Sequence, residues 1–198
     1  MLAGLFDYGV GNLHSLNKAL EYVGIKTRII DKPKSLLKSD VLILPGVGAF
    51  GPASVKLSRV RPDLKKMLRT GAPCLAICLG MQLLYEESEE ARGKGIGLLP
   101  GSVKKLEHKI LPHMGWNQVS HKGQALFKGI ANRSSFYFAH TFAASSCTDF
   151  CISETKHGRN FASAINAFNV WGTQFHPEKS STNGIILLNN FSEILKRI

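Results

Sequence analysis

The sequence predicts an α/β protein with a mostly parallel central sheet, an antiparallel extension of that sheet and helices on both faces. Short apolar segments alternate with segments of helical periodicity through residues 1–85, and such alternation is typical of a parallel α/β sheet. Beyond residue 102 most segments have strand character, which favours hairpins and antiparallel pairing. The sequence contains no repeat, low-complexity tract or linker, so we expect one domain over residues 1–198.

Four strands are predicted in the first part of the chain, at residues 2–6, 27–30, 41–44 and 74–77. Apolar residues recur at helical spacing between the first two strands. We expect Asn12 to cap the start of that helix and Gly24 to end it. A short helical turn is expected at 34–38, and a helix at 55–68 that Pro62 interrupts.

Residues 86–97 are charged and contain glycines, so we interpret them as a surface loop. The predicted strands that follow lie at 103–106, 116–119, 136–142, 150–153, 161–165 and 170–174. A final helix has apolar residues on one face. Ser181, Thr182 and Asn183 precede that face and predict its N-cap.

The composition favours an ordinary soluble globular protein, with 44% hydrophobic and 20% charged residues. The N-terminus has no basic region and reaches Asp7 at once, so we do not interpret it as a signal peptide. No apolar run approaches the ~18 residues of a membrane span. The four cysteines form two pairs of C-x3-C spacing, which matches neither common zinc nor redox patterns. We therefore expect a reduced, cytoplasmic protein without membrane contact.

The net charge of +11 is of the kind found in nucleic-acid-binding proteins. The excess of Lys and Arg is spread over both halves of the chain, however, without a basic tail or a basic run interleaved with aromatic residues. A solvated basic surface or an acidic protein partner explains the charge at least as well. We therefore do not expect nucleic-acid binding.

Residues 71–85 have the layout of a nucleophile elbow. A turn signal and a short apolar strand precede Cys78, and a segment of helical spacing follows Gly80. Such a turn lifts the sulfur out of the backbone and places it at a helix N-terminus, where the peptide dipoles favour the thiolate. On this segment alone, a buried structural cysteine explains Cys78 equally well.

Two glycine-rich turns follow predicted strands. In the first, Gly9-Val10-Gly11, the dinucleotide-binding pattern G-x-G-x-x-G fails because its third glycine is His14. Residues 46–51 match that pattern, but the next strand ends in Cys78 and not in the acid that a ribose needs. The other use of such a loop is to aim backbone N–H groups at a developing oxyanion.

A predicted strand runs into His176-Pro177-Glu178. In extended backbone, residues i and i+2 face the same side, so the histidine and the glutamate are expected to point together. A carboxylate so placed can hold the ring in one tautomer and stabilise its imidazolium. A surface His/Glu pair is the simpler explanation of this tripeptide alone. Combined with Cys78, it supplies a nucleophile, a base and an orienting group.

Several motifs carry a family resemblance. Three resemble class I glutamine amidotransferases: Cys-Leu-Gly-Met-Gln at 78–82, Pro-Gly-Val-Gly at 45–48 and His-Pro-Glu at 176–178. Three more are similar to the glutaminase subunits of imidazole glycerol phosphate synthases within that family: Asp-Tyr-Gly-Val-Gly-Asn at 7–12, His-Met-Gly-Trp-Asn at 113–117 and Gln-Phe-His-Pro-Glu-Lys-Ser at 174–180. The sequence departs from the family at Ala76, where glycine is usual, and at Phe142, where an aromatic residue of the tyrosine type is more usual.

The resemblance implies a flavodoxin-like class I glutamine amidotransferase fold and a glutaminase mechanism. Cys78 would attack the side-chain amide of glutamine, His176 would act as acid and then as base, and Glu178 would orient His176. The implied oxyanion donors are backbone N–H groups of Gly46, Val47 and Leu79. The implied substrate contacts are Gly48, Gln82, Thr141 and Phe142. The resemblance implies no metal and no organic cofactor.

The resemblance also implies a heterodimer. In the family, ammonia passes to a (β/α)8-barrel cyclase subunit that makes imidazole glycerol phosphate and an aminoimidazole carboxamide ribotide. The positions similar to the subunit interface are Asn12, Trp116, Asn117, Tyr137 and Lys179. Two alternatives stay open: an amidotransferase that supplies a different acceptor synthase, and a non-catalytic binding module, which the presence of all three catalytic residue types disfavours.

Overall fold

A computed structural model describes residues 1–9, 11, 13–145 and 149–198 of the chain. The strands in chain order are β1 (Ala3–Phe6), β2 (Thr27–Ile30), β3 (Val41–Leu44), β4 (Cys74–Ile77), β5 (Glu87–Ser88), β6 (Ala91–Lys94), β7 (Ser102–Lys105), β8 (His113–His121), β9 (Ser134–His140), β10 (Phe142–Ala144), β11 (Cys151–His157), β12 (Arg159–Ala167) and β13 (Val170–Thr173). The α-helices are α1 (His14–Tyr22), α2 (Pro33–Leu36), α3 (Phe50–Leu57), α4 (Arg61–Arg69), α5 (Leu79–Gln82) and α6 (Ser181–Leu195).

The main sheet has nine strands in the order β2-β1-β3-β4-β13-β12-β11-β8-β9. Its first five strands pair in parallel, and the pairings from β13 through β12, β11 and β8 to β9 are antiparallel. The predicted α/β class, with a parallel sheet extended by antiparallel strands, is confirmed. The carboxyl ends of β4 and β13, where Cys78 and His176 follow, are neighbours in this sheet.

Helices cover both faces of the parallel part of the sheet, as predicted. Strand β4 shows the alternation that makes this possible, because Leu75 and Ile77 belong to the apolar cluster under α1 and α6. Cys74 and Ala76 belong instead to the cluster that receives the apolar residues of α3 and α4. All four side chains are buried, so β4 is a continuous apolar strand of the kind that parallel sheets require.

The structure corrects the interpretation of residues 86–97 as a loop. They contain β5 and β6, which join β7 and β10 in a second sheet of order β10-β7-β5-β6. Strand β6 is exposed or half-buried throughout, so no apolar alternation marks it in the sequence. Main-chain pairing within this sheet defines it instead.

The predicted strand at 136–142 is two strands, because the chain changes sheets at Thr141. Strand β9 ends at His140 in the main sheet, and β10 begins at Phe142 in the second. The Thr141 carbonyl between them accepts a hydrogen bond from the backbone N–H of Leu106 at 3.0 Å. Residues 136–142 contain no glycine or proline, so the sequence carries no turn signal at this point.

Two details of the helices also differ from the sequence-based expectations. The helix expected at 55–68 with an interruption at Pro62 is divided before that residue, into α3 and α4. Pro62 lies in the first turn of α4, where its missing N–H costs no hydrogen bond. The last helix has Ser180 at its N-cap without a side-chain cap hydrogen bond. The cap predicted at 181–183 is therefore wrong, and Asn12 lies outside the described residues.

Among the residues that the structure describes, no helix is both long and apolar enough to cross a membrane.

Gly80 tests the packing of α5 against β3. A Cβ at this position would overlap the Leu44 backbone, with the Leu44 carbonyl carbon at 2.7 Å. We expect Gly80→Ala to lower the free energy of unfolding by about 1–3 kcal/mol through overpacking, despite the higher helix propensity of alanine. Chemical denaturation of the variant measures this.

The matched control is Gly51→Ala in α3. A Cβ there would meet only the Ala91 Cβ, at 3.2 Å, which can yield by a few tenths of an ångström. An unfolding free energy of Gly80→Ala equal to that of Gly51→Ala would contradict the proposed close packing at the elbow.

Candidate active site

Cys78 forms the sharp turn between β4 and α5 that the sequence predicts. Its backbone has φ 47° and ψ −103°, a region that side-chain-bearing residues rarely adopt. The Cys78 N–H donates to the Thr173 carbonyl at 2.6 Å, and its carbonyl accepts from the Gln82 N–H at 3.0 Å. The neighbouring strand and the following helix therefore fix the conformation from both sides.

Gly46 brings the loop after β3 into direct contact with the reactive groups. A Cβ at Gly46 would lie 2.7 Å from the Cys78 Cβ and 2.8 Å from the His176 Cε1. Only glycine allows the loop backbone to approach so closely. The thiol, the imidazole and the loop peptide groups are thus in mutual contact.

His176 and Glu178 point together, as the sequence predicts. The His176 Nδ1 lies 2.8 Å from the Glu178 Oε1, and the two side chains are 5% and 7% exposed. A carboxylate can only accept, so Nδ1 carries the proton of this bond. Since Nδ1 bonds to Glu178, Nε2 is the ring nitrogen that remains to contact Cys78. The His176 N–H donates to the Tyr137 carbonyl at 2.9 Å, which anchors the segment to β9.

The charge of the site favours the protonated imidazole of His176. Burial lowers the pKa of His176, but the negative charge of Cys78 and hydrogen bonds to Cys78 and Glu178 more than offset it and raise that pKa to about 10. A thiolate and an imidazolium beside it stabilise each other in this buried setting. The site is therefore suited to a cysteine nucleophile with an adjacent acid.

A pocket of about 260 Å³ opens beside the Cys78 thiol. Seven residues implied by the resemblance line it: Gly46, Gly48, Cys78, Leu79, Gln82, Thr141 and Phe142. Val47 is not among the lining residues, because its side chain packs against the two apolar clusters. His176 is not among the lining residues but lies next to Gly46 and Cys78, and Glu178 is hydrogen-bonded to its Nδ1.

Gln82 and Gln174 form a buried amide pair next to the thiol. The Gln82 Nε2 donates to the Phe142 carbonyl at 2.8 Å and to the Gln174 Oε1 at 3.2 Å. The Gln174 Nε2 donates to the Cys78 Sγ at 3.5 Å. Gln174 begins one of the motifs that carry the resemblance, but no role in the site was predicted for it.

Glu90 is a second residue that the sequence analysis missed. It follows β5 and lines the pocket, where it is the one carboxylate among the described lining residues. The Phe50 N–H donates to the Glu90 Oε2 at 3.3 Å and holds it in place. The sequence did not indicate a role for Glu90 because it lies in the charged segment 86–97, which was interpreted as a surface loop.

Three of the residues implied at a subunit interface form one surface. Trp116 is 55% exposed and lies edge-on to Tyr137 with ring centroids 6.2 Å apart. The Lys179 Nζ lies 5.9 Å from the centroid of the Tyr137 ring. Asn117 points to the opposite face of β8, where its side chain bonds to the His113 ring and the Lys156 carbonyl. Asn12 is not among the described residues.

Among residues 1–9, 11, 13–145 and 149–198, no group of three or more His, Cys, Asp or Glu side chains is placed to hold a metal ion.

Comparisons with known proteins identify relatives along nearly the whole chain. The sequence profile of the family described as glutamine amidotransferase class-I matches residues 4–194. The imidazole glycerol phosphate synthase subunit HisH of Methanocaldococcus jannaschii is 46% identical over 98% of this chain and 100% of that protein. The protein of the same name from Pyrococcus furiosus is 44% identical over 96% of this chain and 97% of its own length.

Solved structures share the fold at lower sequence identity. The structure of PurLQS from Thermotoga maritima matches with a TM-score of 0.73 and 20% identity, over 98% of both chains. A structure titled as a glutamine amidotransferase matches with a TM-score of 0.74 and 18% identity, again over 98% of both chains.

The charge of Cys78 can be tested through the pKa of His176. Cys78→Ser replaces the thiolate with a neutral hydroxyl, so the charge that favours the imidazolium is lost while the lowering by burial persists. We expect the pKa of His176 to fall well below about 10 in this variant. Titration of the ring by NMR measures it, and Cys151→Ser, outside the pocket lining, serves as the control. An unchanged pKa in Cys78→Ser would contradict the charge coupling.

Proposed function

Since the chain belongs to the class I glutamine amidotransferase family, we propose that it is the glutaminase subunit of an imidazole glycerol phosphate synthase. The relatives from M. jannaschii and P. furiosus carry that subunit's name over almost their full lengths. The observation that carries the proposal is the contact of Cys78 with His176, backed by Glu178, at a pocket of about 260 Å³. The enzyme acts in histidine biosynthesis in the cytoplasm.

In the first half of the reaction, the Cys78 thiolate attacks the side-chain carbonyl carbon of glutamine and a C–S bond forms. The carbonyl oxygen becomes an oxyanion, held by the Leu79 N–H and by a backbone N–H of Gly46 or Val47. The C–N bond then breaks, and protonated His176 gives its proton to the departing ammonia. Glu178 keeps the ring oriented through Nδ1.

The second half of the reaction needs His176 as a base, and the chemistry of the first half prepares it. The γ-glutamyl thioester on Cys78 carries no charge, so one cause of the raised pKa of His176 is gone. Burial then favours the neutral ring, which can accept a proton from water. The hydroxide attacks the thioester, the C–S bond breaks, and glutamate leaves as the thiolate is restored.

Glutamine is recognised at both of its ends. Gln82 and the backbone at Gly48, Thr141 and Phe142 line the pocket and contact the substrate. Glu90 supplies a negative charge in the same pocket, which pairs with the α-ammonium group of a free amino acid. This contact distinguishes free glutamine from a glutamine side chain within a peptide, whose α-nitrogen carries no charge.

Ammonia must reach its acceptor before water protonates it. We assign the acceptor chemistry to a (β/α)8-barrel cyclase subunit in a heterodimer with this chain. We assign Trp116, Tyr137 and Lys179, which form one surface, to the interface, together with Asn12. Asn117 belongs to the assignment made from the resemblance, but its side chain points to the opposite face of β8. The Tyr137 carbonyl accepts from the His176 N–H, so this surface lies one hydrogen bond from the triad.

The nucleophile is tested by Cys78→Ala. We expect the loss of glutamine-dependent synthesis of imidazole glycerol phosphate in the complex with the cyclase subunit, with synthesis from added ammonia retained, because the acceptor chemistry lies on the other subunit. Cys151→Ala, outside the pocket lining, is the control and keeps both activities. Glutamine hydrolysis that survives in Cys78→Ala would reject the nucleophile, and a complex that makes no imidazole glycerol phosphate from ammonia would reject the partner.

The role of Glu90 is tested by Glu90→Gln. Removal of a charge-assisted hydrogen bond to the α-ammonium group is expected to raise the KM for glutamine about tenfold or more, with a smaller change in kcat since the reacting amide lies elsewhere. Glu87→Gln removes an exposed carboxylate from the same hairpin, outside the pocket lining, as the matched control. Equal KM values for the two variants would show that Glu90 does not bind substrate.

A further inference from the structure

Two buried histidines connect strand β8 to the pocket wall through an unbroken series of hydrogen bonds. The Asn117 Nδ2 lies 3.1 Å from the His113 Nε2, and the His113 Nδ1 lies 3.0 Å from the His140 Nε2. The His140 Nδ1 lies 2.9 Å from the Phe142 carbonyl oxygen. His113 and His140 are 5% and 6% exposed. Neither ring has a role in the proposed reaction.

The chemistry of the two ends fixes the direction of every bond in this series. The Phe142 carbonyl can only accept, so His140 carries its proton on Nδ1. In the neutral ring, the His140 Nε2 is then an acceptor, so His113 must donate from its own Nδ1. The His113 Nε2 is left as an acceptor, and the Asn117 amide donates to it. Both rings are therefore in the Nδ1–H tautomer.

The surroundings of the rings keep both of them neutral. Burial, together with the neighbouring His157 and His108, lowers the pKa of His113 to about 4. Burial lowers the pKa of His140 to about 3, with His113, His176 and His157 adding to the effect and the hydrogen bond to Phe142 opposing it. A proton added to His140 would turn Nε2 into a donor that faces the donor of His113.

The series ends at the junction between the two sheets. The chain leaves the main sheet after His140 and enters the second sheet at Phe142, and the Thr141 carbonyl between them accepts from the Leu106 N–H. The Phe142 carbonyl receives one hydrogen bond from His140 and another from Gln82. Thr141, Phe142 and Gln82 all line the pocket. These side-chain donors thus fix the orientation of the peptide group at this junction.

We propose that His113 and His140 are positioning residues for glutamine binding, which act together by holding the Thr141–Phe142 wall in place through their common Nδ1–H tautomer. The proposal rests on the proposed glutaminase function, whose pocket this wall forms. Without the His113 donor, the buried His140 Nε2 has no hydrogen-bond partner. The ring is then held at Nδ1 alone, so its orientation is less fixed and the anchor of the wall is weakened.

The tautomers are measured directly from the ring ¹⁵N chemical shifts, which need no activity. We expect both His113 and His140 of the intact chain to be in the Nδ1–H form at neutral pH. In His113→Leu, the His140 Nε2 loses its donor, and we expect its ¹⁵N shift to move to that of an imine nitrogen that accepts no hydrogen bond. A ring of either residue in the Nε2–H form in the unaltered chain would overturn the proposal, as would an unchanged His140 Nε2 shift in His113→Leu.

The effect on function is measured as glutamine hydrolysis in the complex with the cyclase subunit. We expect His113→Leu to raise the KM for glutamine about fivefold or more, the scale of one lost buried hydrogen bond, with kcat changed less. His113→Asn places an amide donor near the position of Nδ1 and is expected to restore the KM. His113→Gln places its amide near the position of Nε2 and is not expected to restore the KM. The comparison of His113→Asn with His113→Gln therefore tests the proposal even if His113→Leu fails to fold.

The matched control is His121→Leu, on the same strand but at its other end, where the ring stacks on Phe127 with centroids 4.4 Å apart. Its KM is expected to stay near that of the unaltered chain. If the enzyme is active and the KM for glutamine of His113→Leu or of His113→Gln equals that of His121→Leu, the positioning role is overturned. The proposed glutaminase function is not affected by that result. Absence of glutamine hydrolysis in the unaltered complex would instead reject the proposed function, whatever the tautomers are.

Discussion

The left-handed backbone of Cys78, with φ 47°, is the constraint on which the geometry of the site depends. Strand β13 holds the Cys78 N–H through Thr173, and the first turn of α5 holds its carbonyl through Gln82. The turn can close only because Gly80 packs on the Leu44 backbone and Gly46 lies against the Cys78 Cβ. Three parallel strands therefore combine to present one sulfur atom, and the strain at that residue is balanced by their pairing.

The charges around His176 depend on where this turn places the Cys78 sulfur. The Cys78 charge and the Glu178 carboxylate meet the same buried ring from its two nitrogens, and together they reverse the effect of burial on the pKa of His176. In the proposed reaction, acylation of the sulfur removes one of the two negative charges. The same buried imidazole would then serve as an acid before the thioester forms and as a base afterwards.

Much of this arrangement could be predicted from local sequence, because it follows from neighbours in the chain. The apolar strand before Cys78 and the i, i+2 placement of His176 and Glu178 are short-range properties. Gln174 and Glu90 were missed for a different reason, since their contacts join segments that lie far apart in the chain. The exposed strand β6 lacks an apolar pattern, so pairing that only the folded chain makes defines it.

The difference between local and long-range signals also applies to the proposed interface and to the pocket wall. Successive side chains of β8 point to opposite faces of the sheet, so the neighbours Trp116 and Asn117 lie on different sides. Asn117 donates instead to His113, at the start of the hydrogen-bond series that ends at Phe142. The sequence could indicate the residue types on this strand, but the partners of each histidine depend on ring contacts between β8, β9 and the following junction.

In the proposed reaction, the strained turn makes Cys78 the nucleophile for glutamine. Labelling the chain with a glutamine analogue whose side-chain amide is replaced by an electrophilic carbon, followed by peptide mapping, tests this role. We expect one label per chain, on Cys78, and protection by excess glutamine. A label on Cys74, Cys147 or Cys151 that glutamine prevents, with Cys78 unmodified, would contradict it.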